Sequence, residues 1–226
     1  MLEKIKRYYR LWFKNPPKYK LSFKTNIERH GTVYGGWNII PNSLNKNSIV
    51  YSFGIGEDIS FDLSLIKKYA CNVHAFDPTP RVTEWLKKQK LPEPFIYYPL
   101  ALSDSDGLLT FYTPENEGNI SHKAFASNNS RAVEVKAQKL KSIAKSLNSA
   151  SIDLLKMDIE GFEYPVLENM LADNIKPKQL LIEFHHLFPE VGNQKTENMI
   201  AKLEANGYRL FSVADSICEF SFILQE

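Results

Sequence analysis

The sequence predicts an α/β protein with a Rossmann-like fold, in which helices lie on both faces of a mostly parallel seven-stranded sheet. The first observation is an apolar run at 49–53 that ends at Gly54 and Gly56 and leads into a helical pattern. The second is that apolar runs and helical patterns alternate along most of the length, which is typical of parallel sheets. The third is a pair of apolar runs at the end of the chain, joined by a few turn residues, which predicts an antiparallel hairpin at the sheet edge.

The elements follow in order from local patterns. After the glycine turn, apolar residues at helical spacing from Ile59 to Tyr69 predict a first helix. Pro78 and Pro80 fix the backbone for the first turn of a second helix, which runs through Leu86. Further strands are predicted at 72–77, 95–100, 108–112, 132–138, 152–158 and 179–184, further helices up to residues 171 and 207, and the closing hairpin at 208–213 and 219–224. The polar stretch 115–131 has no periodicity and is predicted to be a lid or substrate loop.

The charge of the chain is unevenly distributed. Residues 1–24 carry eight Lys or Arg and a single acid, Glu3, so the remainder of a chain with net charge +2 sums to −5. Apolar residues at helical spacing among these bases predict an amphipathic helix. We therefore divide the chain of 226 residues into a basic N-terminal arm at 1–30 and one main domain at 31–226. The arm is expected to dock on the domain or on a second copy, or to lie on an anionic membrane surface.

Several classes of protein are not expected from the composition. Cys71 and Cys218 are too few and too far apart for a disulfide framework or a zinc site, which fits a reducing compartment. No stretch is long and apolar enough to span a bilayer, and the start lacks the apolar core of a signal peptide. The basic run is too short to predict nucleic-acid binding. We expect a cytoplasmic protein whose arm docks on the domain or on a second copy or, alternatively, contacts the inner membrane surface.

The glycine turn and an acid after the second strand predict a nucleoside cofactor. Gly54 and Gly56 allow the backbone to approach a ligand without a Cβ clash. Asp77 follows roughly twenty residues later, where such folds place the carboxylate that binds a ribose diol; alternatively, it caps the helix that follows. A dinucleotide fingerprint has a third glycine at residue 59, which is Ile59 here. The pattern favours a nucleoside without phosphates, and S-adenosylmethionine is the commonest of these.

The carboxyl ends of the fourth and fifth parallel strands are the predicted chemical centre, because ligands of open α/β sheets bind there. Alternation places Asp158 and Glu160 on one side of their segment, and Glu183 and His185 on one side of theirs. His185 is a candidate base, since an ordinary pKa of ~6.5 suits neutral pH. Asp158, Glu183 and His185 alternatively hold a divalent metal ion. His122, in the irregular stretch, is a second candidate base.

The order and spacing of several segments resemble the FkbM-type S-adenosylmethionine-dependent methyltransferases, over roughly residues 31–224. The segments are VYSFGIGEDISFD (50–62), VHAFDPTPR (73–81), ALSDSDG (101–107), LLKMDIEGFEYPVL (154–167) and LLIEFHH (180–186). A parallel sheet finished by a hairpin is also the architecture of class I methyltransferases. The resemblance implies methyl transfer from S-adenosylmethionine, often to a hydroxyl of a sugar, glycan or related natural product.

The same resemblance implies cofactor contacts beyond the glycine turn. The usual turn begins with an acid and has a third glycine, and these places hold Ser52 and Asp58 here. The methionine amine is then expected to be held by Glu57 or Asp58. Ala101 and Leu102 follow the third strand, where such enzymes cradle the adenine. The full set of predicted cofactor residues is Ser52, Gly54, Gly56, Glu57, Asp58, Asp77, Pro78, Ala101, Leu102 and Asp158.

Two other functions share parts of this pattern. A nicotinamide oxidoreductase has the same fold, but the missing third glycine and the terminal hairpin disfavour it. A non-catalytic module that binds S-adenosylmethionine or a nucleotide would keep the glycine turn and Asp77 but lose the polar cluster on the fourth and fifth strands. The segment Tyr34 to Trp37 either folds over the cofactor or forms a glycine turn anchored by a buried tryptophan.

Overall fold

The computed structural model describes residues 16–113 and 131–225. Its strands are β1 (Glu28–His30), β2 (Trp37–Ile39), β3 (Ile49–Phe53), β4 (Asn72–Phe76), β5 (Phe95–Tyr98), β6 (Ala101–Leu102), β7 (Gly107–Thr113), β8 (Arg131–Gln138), β9 (Leu154–Met157), β10 (Gln179–Glu183), β11 (Tyr208–Val213) and β12 (Glu219–Leu224). Its helices are α1 (Ser60–Tyr69), α2 (Pro80–Leu86), α3 (Leu140–Ser146), α4 (Glu163–Ala172) and α5 (Gly192–Ala205).

The main sheet has seven strands in the order β11-β12-β10-β9-β3-β4-β5. The pairs β3–β4, β4–β5, β3–β9 and β9–β10 are parallel, whereas β12 is antiparallel to both β10 and β11. The mostly parallel sheet with a terminal antiparallel hairpin is therefore confirmed. The hairpin enters the sheet in a way the sequence did not predict, because its second strand, β12, lies inside the sheet and β11 forms the edge.

Helices cover both faces of this sheet, as predicted. Residues of the central strands alternate between the two faces: Val50 packs with α1 and β2, whereas Tyr51 packs with the residues of α3, α4 and α5. The same alternation separates Leu154 from Leu155 on β9. Burial on both faces explains why the central strands consist of nearly continuous apolar residues.

Short elements account for most of the differences from the sequence prediction. The predicted strands at 108–112 and 132–138 are β7 and β8, which form a separate three-stranded sheet with the two-residue strand β6. Strands β1 and β2 have three residues each and form a small antiparallel pair. These strands and the seven-residue helix α3 are too short to show a clear period. Residues 114–130, which include most of the predicted loop and His122, lie outside the described residues.

The last part of the predicted arm contacts the main sheet. The N–H groups of Ser22 and Phe23 donate to Leu210 O on the edge strand (2.9 and 3.1 Å), and Leu210 N donates to the Ser22 hydroxyl (2.9 Å). Tyr19 packs edge-on against Phe220, with ring centroids 5.4 Å apart. The division at residue 30 stays a prediction, and the predicted helix at the start of the arm falls within residues 1–15, outside the described part. Among the described residues, no helix is long and apolar enough to cross a membrane.

Candidate functional site

A cavity of about 930 Å³ opens at the carboxyl ends of the parallel strands. Its walls are the glycine turn after β3, the residues after β4 and β5, the ends of β9 and β10, and the segment 32–35. The predicted cofactor residues that line it are Gly54, Gly56, Glu57, Asp58, Asp77, Pro78, Ala101, Leu102 and Asp158. Ser52 is the exception, because it is fully buried on the α1 side of β3 and is not among the lining residues. The structure thus gathers these positions around one cavity, and their contacts with a cofactor stay predictions.

The two glycines of the turn are needed for different reasons. Both have positive φ, +70° at Gly54 and +55° at Gly56, a conformation that glycine adopts without strain. At Gly54 a Cβ atom would also lie 1.7 Å from Asp158 O, whereas at Gly56 it would meet no atom within 4 Å. Gly54 therefore allows the end of β9 to pack directly against the turn, and so brings Asp158 to the cavity.

Asp77 ties the glycine turn to the start of α2. Its carboxylate accepts hydrogen bonds from Gly56 N (3.0 Å) and Thr79 N (2.9 Å), and the Tyr97 hydroxyl donates to its carbonyl (2.7 Å). Burial raises the pKa of Asp77, and the bonds from Thr79 and Gly56 oppose that effect. An ionised carboxylate has about four acceptor positions. The bond to Thr79 lies before the first turn of α2, whose N-cap residue is Thr79 and which has no side-chain cap among the described residues, and the carboxylate retains acceptor capacity for a ribose.

The two acids predicted to hold the methionine amine both have protein partners. Arg81 donates two hydrogen bonds to the Glu57 carboxylate (2.8 and 3.1 Å). Asp58 accepts from the Thr32 hydroxyl (2.6 Å) and from Ser60 N (2.9 Å). Burial raises the pKa of Asp58, but these bonds outweigh that effect and lower it. Asp58 therefore attaches the segment 32–35 to the glycine turn and caps the start of α1, and its carboxylate is already engaged.

Lys156 is a cavity residue that the sequence analysis did not select. It lies on β9 and is only 6% exposed. Its Nζ atom donates to Phe53 O (3.1 Å) and Gly54 O (2.5 Å), and lies 4.0 Å from Asp158 Oδ2. It also faces the Trp37 ring, 5.7 Å from the centroid. The signal in the sequence was a single cation within a buried apolar strand, because such a charge is found there only when it has partners.

The predicted chemical centre does converge at the ends of β9 and β10. One ligand-type atom from each of Asp158, Glu183 and His185 lies within 4.8 Å of the others. His185 Nε2 is 3.8 Å from Asp158 Oδ1 and 3.3 Å from Glu160 Oε2. Burial and the neighbouring charges of Asp158 and Glu219 raise the pKa of Glu183 well above its usual range. Three of the four predicted catalytic residues are thus together, and His122 lies outside the described residues.

Glu163 holds His185 from the other side, a contact that the sequence did not reveal. Glu163 is fully buried and accepts hydrogen bonds from Ile159 N (3.1 Å) and Gly161 N (3.1 Å). Its Oε1 atom lies 2.8 Å from His185 Nδ1. Burial lowers the pKa of His185, but the bond to Glu163 and the charges of Asp158 and Glu160 outweigh burial and raise the pKa to about 10. At neutral pH the imidazole is therefore protonated on both nitrogens, whereas its ordinary pKa predicted a neutral base.

The segment 32–37 forms one side of the cavity mouth. Thr32, Val33, Tyr34 and Gly35 line the cavity, and the Tyr34 side chain is 89% exposed. Trp37 also lines the cavity, but its side chain is buried and packs against α1. The segment thus has the buried tryptophan anchor that was one of its two interpretations, and an exposed tyrosine beside the cavity. Closure of this segment over a cofactor stays a prediction.

Comparisons with known proteins agree with this architecture. Residues 25–210 match the family model of the methyltransferase FkbM domain. The chain is 28% identical over 186 residues to the probable methyltransferase-like protein 24 of Homo sapiens, covering 77% of this chain and 45% of that protein. It is 28% identical over 177 residues to the Rattus norvegicus protein of the same name, covering 74% and 43%. The chain therefore spans less than half the length of these curated relatives.

Among solved structures, the methyltransferase FkbM from Methylobacillus flagellatus KT superposes with a TM-score of 0.52. The match covers 80% of this chain and 44% of that chain, at 13% sequence identity. At that identity the likeness shows the fold alone. It confirms the predicted Rossmann-like methyltransferase fold.

Proposed function

Because the chain belongs to the FkbM methyltransferase family, we propose that it transfers a methyl group from S-adenosylmethionine to a hydroxyl group of a sugar, glycan or related natural-product acceptor. The observation that carries this proposal is the arrangement of the cavity. The glycine turn and Asp77 form one wall, and the carboxylates at the ends of β9 and β10 form another. A nucleoside cofactor and an acceptor would meet between them.

The cofactor end of the cavity offers complementary groups for S-adenosylmethionine. Asp77 retains acceptor capacity for the ribose hydroxyls, and charge-assisted hydrogen bonds of this kind are strong. Leu100, Ala101 and Leu102 give an apolar wall for the adenine. The backbone of the glycine turn and the nearby carboxylate of Asp158 suit a cationic sulfonium. When bound here, S-adenosylmethionine would supply the methyl group from its sulfonium, which would become a neutral thioether.

The residues of the chain must then position the acceptor and accept its proton. Methyl transfer is an in-line displacement, so much of the catalysis comes from orientation. The acceptor hydroxyl also loses a proton, and we propose that Glu183 receives it, because His185 is already protonated at neutral pH. Glu183 suits this role because burial and the charges of Asp158 and Glu219 raise its pKa, so it binds a proton more strongly than an ordinary carboxylate. The buried Glu163 keeps the His185 ring in place.

Calorimetry and turnover test this function together. The protein should bind S-adenosylmethionine and its demethylated product but not NAD, and it should transfer a labelled methyl group to a hydroxylated acceptor. Asp77→Ala should weaken binding by ~1.5–3 kcal/mol, the range for a hydrogen bond to a charged group. Glu93→Gln, on an exposed loop, is the matched control and should bind normally. Binding of NAD in place of S-adenosylmethionine would refute the proposal, and cofactor binding without turnover on any acceptor would favour a non-catalytic module.

The location and partners of the protein are further parts of the proposal. We propose a cytoplasmic protein that does not bind nucleic acid and whose basic arm contacts either an anionic membrane surface or a second copy of the chain. Eight basic residues within 1–24 support this proposal. Sedimentation with vesicles of anionic or neutral lipid, at low and high salt, would distinguish membrane contact from self-association.

A further inference from the structure

We propose that Asp158, Glu183 and His185 bind a divalent cation of the manganese type at the acceptor end of the cavity. The three residues offer two carboxylate oxygens and one imidazole nitrogen within 4.8 Å of one another. Two atoms bound to one ion at ~2.1–2.4 Å can be no more than ~4.8 Å apart, so the cluster is already at coordinating distance or needs only small side-chain adjustments. The role of the ion in catalysis, although not its binding, depends on the function proposed above.

The charge balance around the cluster favours a cation. The carboxylates of Asp158, Glu160, Glu183 and Glu219 all line this part of the cavity. Lys156 is close to the cluster, but its Nζ atom is held by two backbone carbonyls and is 4.0 Å from Asp158. Glu183 is partly exposed and lines the cavity, so its carboxylate is open to a ligand. Carboxylates this close together repel one another, and a bound cation would offset that repulsion.

The orientation of His185 gives independent support. A carboxylate only accepts hydrogen bonds, so the 2.8 Å contact with Glu163 requires the proton of His185 to be on Nδ1. The other nitrogen, Nε2, then faces oxygens of Asp158 and Glu160. The lone pair of Nε2 would then repel the carboxylate oxygens of Asp158 and Glu160. A proton or a metal ion between them removes this repulsion. A histidine that donates its second N–H to a buried carboxylate is the usual arrangement of a metal ligand.

The donor set selects the class of ion. Carboxylates and water suit Mg²⁺, Ca²⁺ and Mn²⁺. Mg²⁺ and Ca²⁺ prefer ligand sets made of oxygen alone, so an imidazole ligand disfavours their binding. Of these three ions, Mn²⁺ therefore fits two carboxylates and one imidazole best. Bound here, the ion would orient the acceptor hydroxyl and polarise it, so that its proton leaves more readily. The rival occupant of the same space is a second proton on His185.

The test is a titration of the full chain with Mn²⁺ in the absence of S-adenosylmethionine. Electron paramagnetic resonance measures the free ion at each step, and bound Mn²⁺ is obtained by difference. We expect one saturable site at micromolar to low millimolar Mn²⁺. Asp158→Asn and Glu183→Gln should each weaken it at least tenfold, and Glu163→Gln should weaken it about 10- to 100-fold through His185. The exposed Glu93→Gln is the control and should bind Mn²⁺ like the wild type.

A second readout keeps folding defects separate. Mn²⁺ should raise the melting temperature of the wild type and of Glu93→Gln, but not that of Glu183→Gln, whose circular dichroism should match the wild type. An absence of saturable Mn²⁺ binding, or equal binding by all variants, would overturn the metal site and favour the protonated histidine. Binding of S-adenosylmethionine is measured separately by calorimetry, with a chelator present to remove metal ions. The proposed function therefore stands or fails on its own result.

Discussion

Replacing Gly54 by alanine should be the most damaging single methyl addition in the glycine turn. A Cβ at this position would lie 1.7 Å from Asp158 O, whereas real Cβ atoms essentially never approach other atoms within 3.0 Å. The turn and the end of β9 would have to separate by about 1.3 Å, the difference between these two distances. That movement also strains the hydrogen bond from Asp158 N to Phe53 O (3.2 Å).

The expected loss can be assembled from these contributions. Positive φ costs a non-glycine residue ~1–2 kcal/mol. Overpacking typically costs ~1–3 kcal/mol, and a weakened backbone hydrogen bond about 1 kcal/mol. We therefore expect Gly54→Ala to lower the free energy of unfolding by ~3–6 kcal/mol, a large fraction of the ~5–15 kcal/mol of a typical domain. Binding of S-adenosylmethionine should be lost with it.

Two matched variants separate the clash from the backbone strain. Gly56 (φ +55°) is in the same turn and Gly192 (φ +73°) is at the start of α5, and a Cβ at either would meet no atom within 4 Å. Their alanine variants should each lose only ~1–2 kcal/mol. The measurement is urea unfolding followed by circular dichroism, with calorimetry for the cofactor. Equal losses at all three glycines would refute the reasoning, because the approach of β9 to Gly54 would then have no energetic consequence.

Three further predictions concern other contacts of the site and the arm. Lys156→Met should lower the free energy of unfolding by ~2–4 kcal/mol, because two backbone carbonyls lose their charged donor. In the same urea titration, Lys145→Met, at an exposed position, should change it by less than ~0.5 kcal/mol. Glu57→Gln should alter the dissociation constant of S-adenosylmethionine by less than about threefold, because Glu57 is engaged by Arg81 in a partly exposed ion pair; a loss beyond about thirtyfold in calorimetry would mean that Glu57 holds the methionine amine. Deleting residues 1–24 should cost ~1–3 kcal/mol more than deleting 1–15, because the contacts with Leu210 are removed only by the longer deletion; equal melting curves would contradict this.

The parts of the fold that the sequence predicted are those with a strong local period. The run before Gly54, the helix that follows it and the hairpin at 208–224 are placed within a residue or two of the observed bounds. An apolar run of this length is typical of a strand buried on both faces. A turn too short for a crossover helix requires the last two strands to be antiparallel. The insertion of β12 between β10 and β11 has no such signal, because the hairpin has the same sequence pattern in either position. Strand order depends on contacts between segments that are distant in the chain.

The site shows the same division between local and distant information. Asp77, Asp158, Glu183 and His185 could be selected because each follows a predicted strand, and the carboxyl ends of parallel strands lie at one edge of a sheet. Lys156 was missed because it lies inside a strand, where its partners are the backbone carbonyls of another segment. Which carbonyls Lys156 can reach depends on the register between β3 and β9, and that register cannot be predicted from the sequence.

His185 illustrates why residue type alone is a weak guide to chemistry. Its ordinary pKa made it a candidate base, yet the pKa is raised to about 10 by Glu163, which the sequence presents only as an acid in the first turn of a helix. Glu160 and Gly161 have positive φ just before this helix, and Glu163 in its first turn contacts His185, two residues beyond the end of β10. Whether His185 accepts a proton or a metal ion is therefore decided by a buried carboxylate 22 residues away. A histidine without that carboxylate would keep the ordinary pKa and would lose the fixed ring orientation that makes a metal site plausible here.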